Sequence, residues 1–297
     1  MEAGFTQGIV RVDGASIYYE RRGDGPAVLL LSPGQGEAAA FTRVADLLAD
    51  DYTVLTLDRR GVGRSQWQGP RRQYSLLQHA TDAAAVITAN GFESASIAGC
   101  SSGASIVLEM AAAYPASVSL AISHEPPVSS ALPDRAEMFD FYEHVEEMAI
   151  AGQAQEAWAE HLRRCRLPVP YLAPDASAAQ DTERLRNLKR FLSEDMPVVT
   201  HYRPDYARLR ASAVPLVLAY GRDGLDLEGP GKPVFTVRTA QAVARRLGTE
   251  AVAFSGNHIL PITDPAAFAA DLRPLLQPAQ ARKPEPPADS RRIGACP

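Results

Sequence analysis

The segment Gly99-Cys100-Ser101-Ser102-Gly103 places three potential nucleophiles between two glycines. It follows an apolar run that predicts a buried strand ending near Ala98, and it precedes a helix predicted to begin near Ala104. A Gly-x-Ser-x-Gly segment at such a junction is typical of a tight, strained turn that exposes its middle side chain at the helix N-terminus. We therefore predict that Ser101 is the nucleophile, because either neighbour would put a side chain where a flanking glycine is needed. Cys100 is expected to be a buried packing residue.

A serine nucleophile needs a general base, and the chain contains 6 histidines. His79, His144 and His161 fall within helical patterns, where surface or cap positions explain them. His258 lies in "FSGNHIL", between the last predicted strand and the final helix. The carboxyl ends of parallel strands share one edge of a sheet, so this loop opens at the same edge as Ser101. We predict that His258 is the base; the alternative is an incidental loop histidine.

The base in turn needs an acid that orients it, and three carboxylates are candidates. Asp223 follows the predicted strand "LVLAYG", and the order Ser101, Asp223, His258 is the chain order expected of a strand-turn-helix nucleophile. Glu125, in "SHEPPV", ends the preceding core strand and faces the same edge. Asp223 is preferred, Glu125 is the alternative and Asp226 comes third. The other explanation for Asp223 is a turn-forming role in "RDG".

Acyl transfer also needs two backbone N–H groups that face the developing oxyanion. One is expected from Ser102, the residue after the nucleophile. The other is expected from the loop "PGQG" after the strand "AVLLLS", where Gln35 is the first choice and Gly34 its neighbour. Glycines in this loop allow the backbone to approach a substrate closely.

The elements around these residues alternate between strand and helix. "GIVRVDG" and "SIYYERRG" predict a hairpin around Gly14, and "PAVLLLSPG" predicts a strand buried on both faces. Repeated strand-helix alternation then predicts an α/β fold, with a mostly parallel twisted sheet and helices on both faces. Residues 133 to about 196 are almost entirely helical in composition, which predicts a helical insertion after the sixth strand.

These patterns divide the chain into four parts. We predict a core from residues 1–131, a helical cap or lid over 132–206 and a second part of the core over 207–276. The remaining segment, 277–297, is rich in proline and charge and is predicted to be disordered.

Composition narrows the function classes. The formal net charge is −5, the hydrophobic content is 46% and the three cysteines form no Cys-x-x-Cys pair. These values are ordinary for a globular protein in a reducing compartment, and they argue against nucleic acid or an anionic membrane as partner. The arginine pairs at 21–22, 59–60, 71–72 and 163–164 are scattered and are interpreted as solvated faces. We expect a cytoplasmic monomer or homodimer that acts on a small molecule without a metal or an organic cofactor.

Together these motifs resemble the α/β-hydrolase superfamily from about Ile9 to Leu276. "LDRRGVGRS" resembles its Asp-x-Arg-Gly-x-Gly-x-Ser segment, "GCSSG" its nucleophile elbow and "SGNHI" its histidine loop. With "SPGQG" and "SHEPPV", the chain looks like a group of largely uncharacterised bacterial hydrolases. Two positions depart from the usual pattern: Pro33-Gly34 stands for His-Gly at the oxyanion turn, and Gly-Arg-Asp is one residue tighter than Gly-x-x-Asp.

The expected activity is hydrolysis of an ester, thioester or lactone of a fairly apolar substrate through an acyl-Ser101 intermediate. Two alternatives stay open at this point. One is a non-hydrolytic enzyme on the same scaffold, such as a cyclase, a lyase or a carbon–carbon bond hydrolase in natural-product metabolism. The other is a receptor that binds a ligand without turnover.

Overall fold

The computed structural model describes residues 5–68, 75–167 and 185–277. Its strands in chain order are β1 (Phe5–Val12), β2 (Ala15–Arg22), β3 (Ala27–Leu31), β4 (Thr53–Leu57), β5 (Gln66–Trp67), β6 (Ala95–Cys100), β7 (Val118–His124), β8 (Leu216–Gly221) and β9 (Val252–Phe254). They form one sheet in the order β1-β2-β4-β3-β6-β7-β8-β9, and β5 pairs with β2.

The pairings of β2 are antiparallel and those among the later strands of the sheet are parallel. Val12 pairs with Ala15 across the turn, where Gly14 has a φ of 71°. β2 also pairs antiparallel with β4, whereas all pairings among β3, β4, β6, β7, β8 and β9 are parallel. The predicted hairpin and the predicted mostly parallel sheet are therefore confirmed.

The helices are α1 (Thr42–Leu48), α2 (Leu76–Ala89), α3 (Ser102–Ala113), α4 (Arg135–Ile150), α5 (Ala154–Arg164), α6 (Met196–Thr200), α7 (Tyr206–Ala211), α8 (Phe235–Leu247), α9 (Leu260–Thr263) and α10 (Pro265–Leu276). Residues 185–190 are also helical and lead into a π-helical turn, Phe191–Asp195, directly before α6. None of the helices in these three ranges combines the length and the apolar run needed to span a bilayer.

Alternation along β3 explains why helices cover both faces of the sheet. Successive side chains of a strand point to opposite faces. Leu29 and Leu31 pack in one cluster with residues of α2 and α3, whereas Val28 and Leu30 pack in another with residues of α1 and α10. The apolar run of β3 is thus buried on both sides, as predicted.

Between β7 and β8 the described residues form helices and no strand. We call α4, α5, residues 185–195, α6 and α7 the insertion helices. Tyr142 of α4 packs in one cluster with Phe191 and with Leu218 of β8, so these helices rest on the core. The insertion follows the seventh strand in the structure, because the two-residue strand β5 is too short to show a periodic pattern in the sequence.

Some predictions fall outside the described residues. These are the arginine pair at 71–72, the part of the cap that spans 168–184 and the tail predicted to be disordered, of which only Gln277 is described.

Candidate active site

Ser101 lies in the turn between β6 and α3, in a backbone conformation that L residues rarely adopt. Its φ is 55° and its ψ is −121°. Its N–H donates to the carbonyl of His124 at 3.0 Å, and its own carbonyl accepts from the N–H of Ala104 at 2.9 Å. Such strain costs about 1–3 kcal/mol and persists only where the surrounding structure imposes it. The turn has the geometry predicted for a nucleophile elbow.

The two glycines that flank Ser101 are required by close backbone contacts. A Cβ atom at Gly99 would lie 2.5 Å from the carbonyl oxygen of Gly103. A Cβ atom at Gly103 would lie 2.0 Å from the carbonyl oxygen of Leu31, at the end of β3. The spacing of the Gly-x-Ser-x-Gly segment therefore follows from how tightly the elbow packs against itself and against β3.

His258 lies between β9 and α9 and is hydrogen-bonded to Glu125. Its Nδ1 is 2.6 Å from Oε2 of Glu125, and the other carboxylate oxygen, Oε1, accepts the N–H of Gly221 at 2.8 Å. Glu125 is fully buried and His258 is almost so. Glu125 directly follows β7 and has a φ of 50°, so it too occupies a strained position.

Electrostatics keep this carboxylate ionised. Burial by itself raises the pKa of Glu125, but the hydrogen bond from His258 and the positive charges that His258 and His124 can carry outweigh it and lower the pKa to about 2. An ionised carboxylate can only accept hydrogen bonds, so Nδ1 of His258 carries the hydrogen. In the neutral imidazole, a hydrogen on Nδ1 leaves Nε2 as the nitrogen that can accept a proton.

The expected preference for Asp223 does not hold in the structure. Asp223 lies in the 3-10 turn Arg222–Gly224 with an exposed side chain, and its N–H donates to the carbonyl of Gly256 at 2.9 Å. The third candidate, Asp226, is also exposed and accepts the N–H of Gly231 at 2.7 Å.

A close approach of two backbones explains this outcome. A Cβ atom at Gly221 would lie 2.5 Å from the carbonyl oxygen of Gly256, so the end of β8 packs directly against the histidine loop. The chain turns away from the sheet before Asp223, whereas Glu125 reaches His258 from the neighbouring strand. The shortened Gly-Arg-Asp spacing is the feature of the sequence that could have indicated that Asp223 does not reach His258.

Gly34, Gln35 and Ser102 line the same cavity as Ser101. The carbonyl of Gly34 accepts hydrogen bonds from Oγ of Ser102, at 3.3 Å, and from the guanidinium of Arg59. The Gly34 carbonyl and the N–H of Gln35 belong to the same peptide bond, and no peptide bond in the described residues is cis. The two groups therefore point in opposite directions, so the hydrogen bonds that hold the carbonyl also fix the direction of the N–H. The N–H of Ser102 belongs to the first turn of α3, where amides have no partner within the helix.

The interpretation of the arginine pair at 59–60 as a solvated face is wrong. Both side chains are almost fully buried. Arg60 forms a two-point ion pair with Asp82, at 2.6 and 2.9 Å. Arg59 contacts Gly34 in the loop next to the elbow, a contact between segments that the sequence pattern does not reveal.

Core and insertion together enclose the cavity, which has a volume of about 390 Å³. Ser101 and His258 both line it. Among the described residues no hydrogen bond joins these two side chains. Hydrogen bonds between a serine and its base are often long until a substrate binds. The insertion helices, together with Cys165 at the end of α5, contribute side chains to the wall: Trp158, His161, Leu162, Cys165, Phe191, Met196, Val199 and Thr200. His161 was expected at the surface or a cap and instead lies in the cavity wall, and His79 is buried as well.

Cys100 lies beneath the elbow and is fully buried, as expected. Its Sγ is 3.4 Å from Nδ1 of His124 and donates to the carbonyl of His258 at 3.1 Å. Burial, and to a lesser degree the charge of Glu125, raises the pKa of this thiol well above its usual range. Cys100 is therefore a neutral thiol rather than a nucleophilic thiolate.

His124 makes folding sensitive to acid. Burial lowers its pKa from 6.5 to about 4, although the charge of Glu125 opposes the shift. The unfolded chain binds this proton more readily, so stability is lost as the pH falls from about 6.5 towards 4. We expect His124 to account for a loss of roughly 2 kcal/mol in the free energy of unfolding down to about pH 5.

Urea denaturation of wild type and His124→Gln between about pH 7 and about pH 5 tests this expectation. The substitution should reduce the loss in the free energy of unfolding between these two pH values by that amount. The exposed His144 provides a control, since His144→Gln should retain the wild-type slope. An unchanged slope in His124→Gln would show that other groups control the acid sensitivity.

Several known proteins are similar to this chain in sequence. The family described as "alpha/beta hydrolase fold" matches residues 26–172. The "Uncharacterized hydrolase YraK" of Bacillus subtilis is 32% identical over 258 residues, which cover 84% of this chain and 89% of that protein. A zearalenone hydrolase of Cladophialophora bantiana is 32% identical over 125 residues, 41% of this chain and 47% of that protein.

Solved structures show the same architecture. An alpha/beta hydrolase from Sphaerobacter thermophilus has a TM-score of 0.65 at 24% identity, and the match covers 91% of this chain and 100% of that one. At this level of identity the likeness concerns the fold alone.

Proposed function

Because this chain belongs to the alpha/beta hydrolase fold family, we propose that it is a serine hydrolase that cleaves an ester, thioester or lactone through an acyl-Ser101 intermediate. The observation that carries the proposal is the 2.6 Å hydrogen bond between His258 and Glu125, at the edge of the cavity that Ser101 also lines. A buried, ionised carboxylate behind an imidazole is the arrangement that activates a serine hydroxyl.

In the proposed reaction, Oγ of Ser101 attacks the carbonyl carbon while Nε2 of His258 takes its proton. The resulting imidazolium is stabilised by the carboxylate of Glu125. The N–H groups of Gln35 and Ser102 donate to the tetrahedral oxyanion. His258 then returns the proton to the leaving alcohol or thiol, and it next activates a water that releases the acid from Ser101.

The side chains of the insertion helices that line the cavity favour a fairly apolar substrate. We propose that they act as a cap, because they supply a large part of the cavity wall, mostly with apolar or aromatic side chains. A cavity of about 390 Å³ is within the size range of small-molecule sites. The partial similarity to zearalenone hydrolases supports including lactones among the substrates tested.

Labelling by a fluorophosphonate probe tests the proposal, because the probe reacts with activated serines. We expect wild type to be labelled, Ser101→Ala to take no label and Cys100→Ala to remain labelled. Ser105, in the first turn of α3 and fully buried, provides a matched control, and Ser105→Ala should be labelled like wild type. A folded wild type that takes no label and hydrolyses no ester, thioester or lactone would overturn the proposal in favour of non-hydrolytic chemistry or ligand binding.

A further inference from the structure

His161 is an imidazole in the cavity wall that the proposed reaction does not use. It lies on α5; Leu162 on the same helix and Cys165, directly after its end, pack in one cluster with Ile259. Ile259 directly follows His258, so this part of α5 covers the histidine loop. His161 therefore faces the space in which a substrate of Ser101 would be held.

Packing holds the ring of His161 in one orientation. The ring stacks on Trp158, with centroids 5.0 Å apart and an interplanar angle of 29°. The ring of Tyr142 packs against it at 5.9 Å. A side chain fixed in this way loses little freedom when it binds a ligand, which favours a role in recognition.

The ring nitrogens of His161 lack a strong protein partner. Among the described residues, the atom within reach of them is Sγ of Cys165, at 4.0 Å from Nδ1 and 3.9 Å from Nε2. A thiol is a weak hydrogen-bonding group. The other aromatic-stacked histidine of the insertion, His201, differs: its Nδ1 is 3.1 Å from the carbonyl of Pro197 and its Nε2 is 3.6 Å from Glu143.

His161 is also neutral at physiological pH. Burial, followed by the charge of His258, lowers its pKa to about 3. A neutral imidazole offers one donor and one acceptor. It therefore suits an uncharged oxygen of a ligand, a hydroxyl or a carbonyl, better than an ionised group.

We propose that His161 determines specificity by hydrogen-bonding a hydroxyl or carbonyl oxygen of the substrate other than the scissile carbonyl. The preferred substrates are then esters or lactones that carry a second, uncharged oxygen on an otherwise apolar body. This inference rests on the proposed function. The physical reason is that a bound ligand without this oxygen covers the imidazole of His161 and leaves it unpaired, and sites of this kind discriminate strongly against such ligands.

Methyl esters of phenylalkanoic acids with one to three methylene groups provide the test. Each is compared with its meta- and para-hydroxyphenyl counterparts, so that the hydroxyl samples several positions at nearly constant size. We expect wild type to prefer at least one hydroxylated ester by about tenfold in kcat/KM. In His161→Phe, which keeps an aromatic ring against Trp158, the ratio should fall to within about twofold of unity whatever the absolute rate.

His201→Phe is the matched control, since it removes a histidine of the insertion outside the cavity lining and should keep the wild-type ratio. The inference is overturned if wild type shows no preference for any hydroxylated ester, or if His161→Phe retains it.

Calorimetric binding of the same esters to Ser101→Ala separates this inference from the proposed function. A preference for hydroxylated esters that persists in Ser101→Ala, and disappears when His161→Phe is added, supports the role of His161 without turnover. Fluorophosphonate labelling without any such preference would instead leave the proposed function intact and remove the role of His161.

Discussion

Glu125→Gln is expected to lower kcat for ester hydrolysis by about 10³–10⁴-fold. A glutamine side chain has nearly the same shape as the glutamate it replaces, so its amide oxygen can still accept a hydrogen bond from the N–H of Gly221. Its NH₂ group would then face Nδ1 of His258, which the wild-type carboxylate contacts at 2.6 Å. An NH₂ donor there favours the tautomer with hydrogen on Nε2, and His258 could no longer take the proton of Ser101.

Steady-state kinetics with a reactive aryl ester, together with the rate of fluorophosphonate labelling, measure this effect. Thermal unfolding of the variant separates loss of catalysis from loss of structure. Asp223→Asn is the matched control, because its exposed side chain should leave kcat within about threefold of wild type. The assignment of Glu125 fails if Asp223→Asn shows the larger loss.

Gly103→Ala is expected to destabilise the protein by about 3 kcal/mol and to abolish labelling of Ser101. Helix propensity alone predicts the opposite sign, since alanine in a helix is about 1 kcal/mol more favourable than glycine. However, the new Cβ atom would lie 2.0 Å from the carbonyl oxygen of Leu31 and 2.8 Å from that of Ser32. These are backbone atoms that cannot rotate away, so α3 or the end of β3 must shift.

The sign of the change in the free energy of unfolding, measured by urea denaturation, decides between these two expectations. Gly152→Ala is the matched control: nothing lies within 4 Å of its added Cβ atom, and its φ of 92° makes about 1 kcal/mol of backbone strain the expected cost. A Gly103→Ala protein as stable as wild type would show that the elbow can relax around a side chain.

Several features follow from short segments of the sequence. The hairpin around Gly14, the fully buried run of β3 and the strand-turn-helix at Ser101 each depend on neighbours within about one element. Period-two alternation, continuous apolar runs and glycine spacing are local signals, so these elements could be predicted. Ser101 and His258 could be singled out for the same reason, because each lies in a loop after a recognisable strand.

The partner of His258 was decided only by tertiary structure. Glu125 and Asp223 both follow core strands, and nothing in their own segments shows which one reaches the imidazole. The contact depends on the packing of Gly221 against Gly256, which places two backbones side by side and directs Asp223 to solvent.

The same holds for Arg59 and His161, whose roles depend on residues far away in the chain. Arg59 contacts Gly34 across 25 positions, and the ring of His161 lines a cavity together with residues of the loop that follows β3. A charged or aromatic residue within a helical or polar pattern predicts a surface position, because burial depends on which other element packs against it. Sequence periodicity thus determined the sheet and the strand-turn-helix at Ser101, whereas long-range packing decided which carboxylate contacts His258, which side chains hold the Gly34 carbonyl and which residues line the cavity.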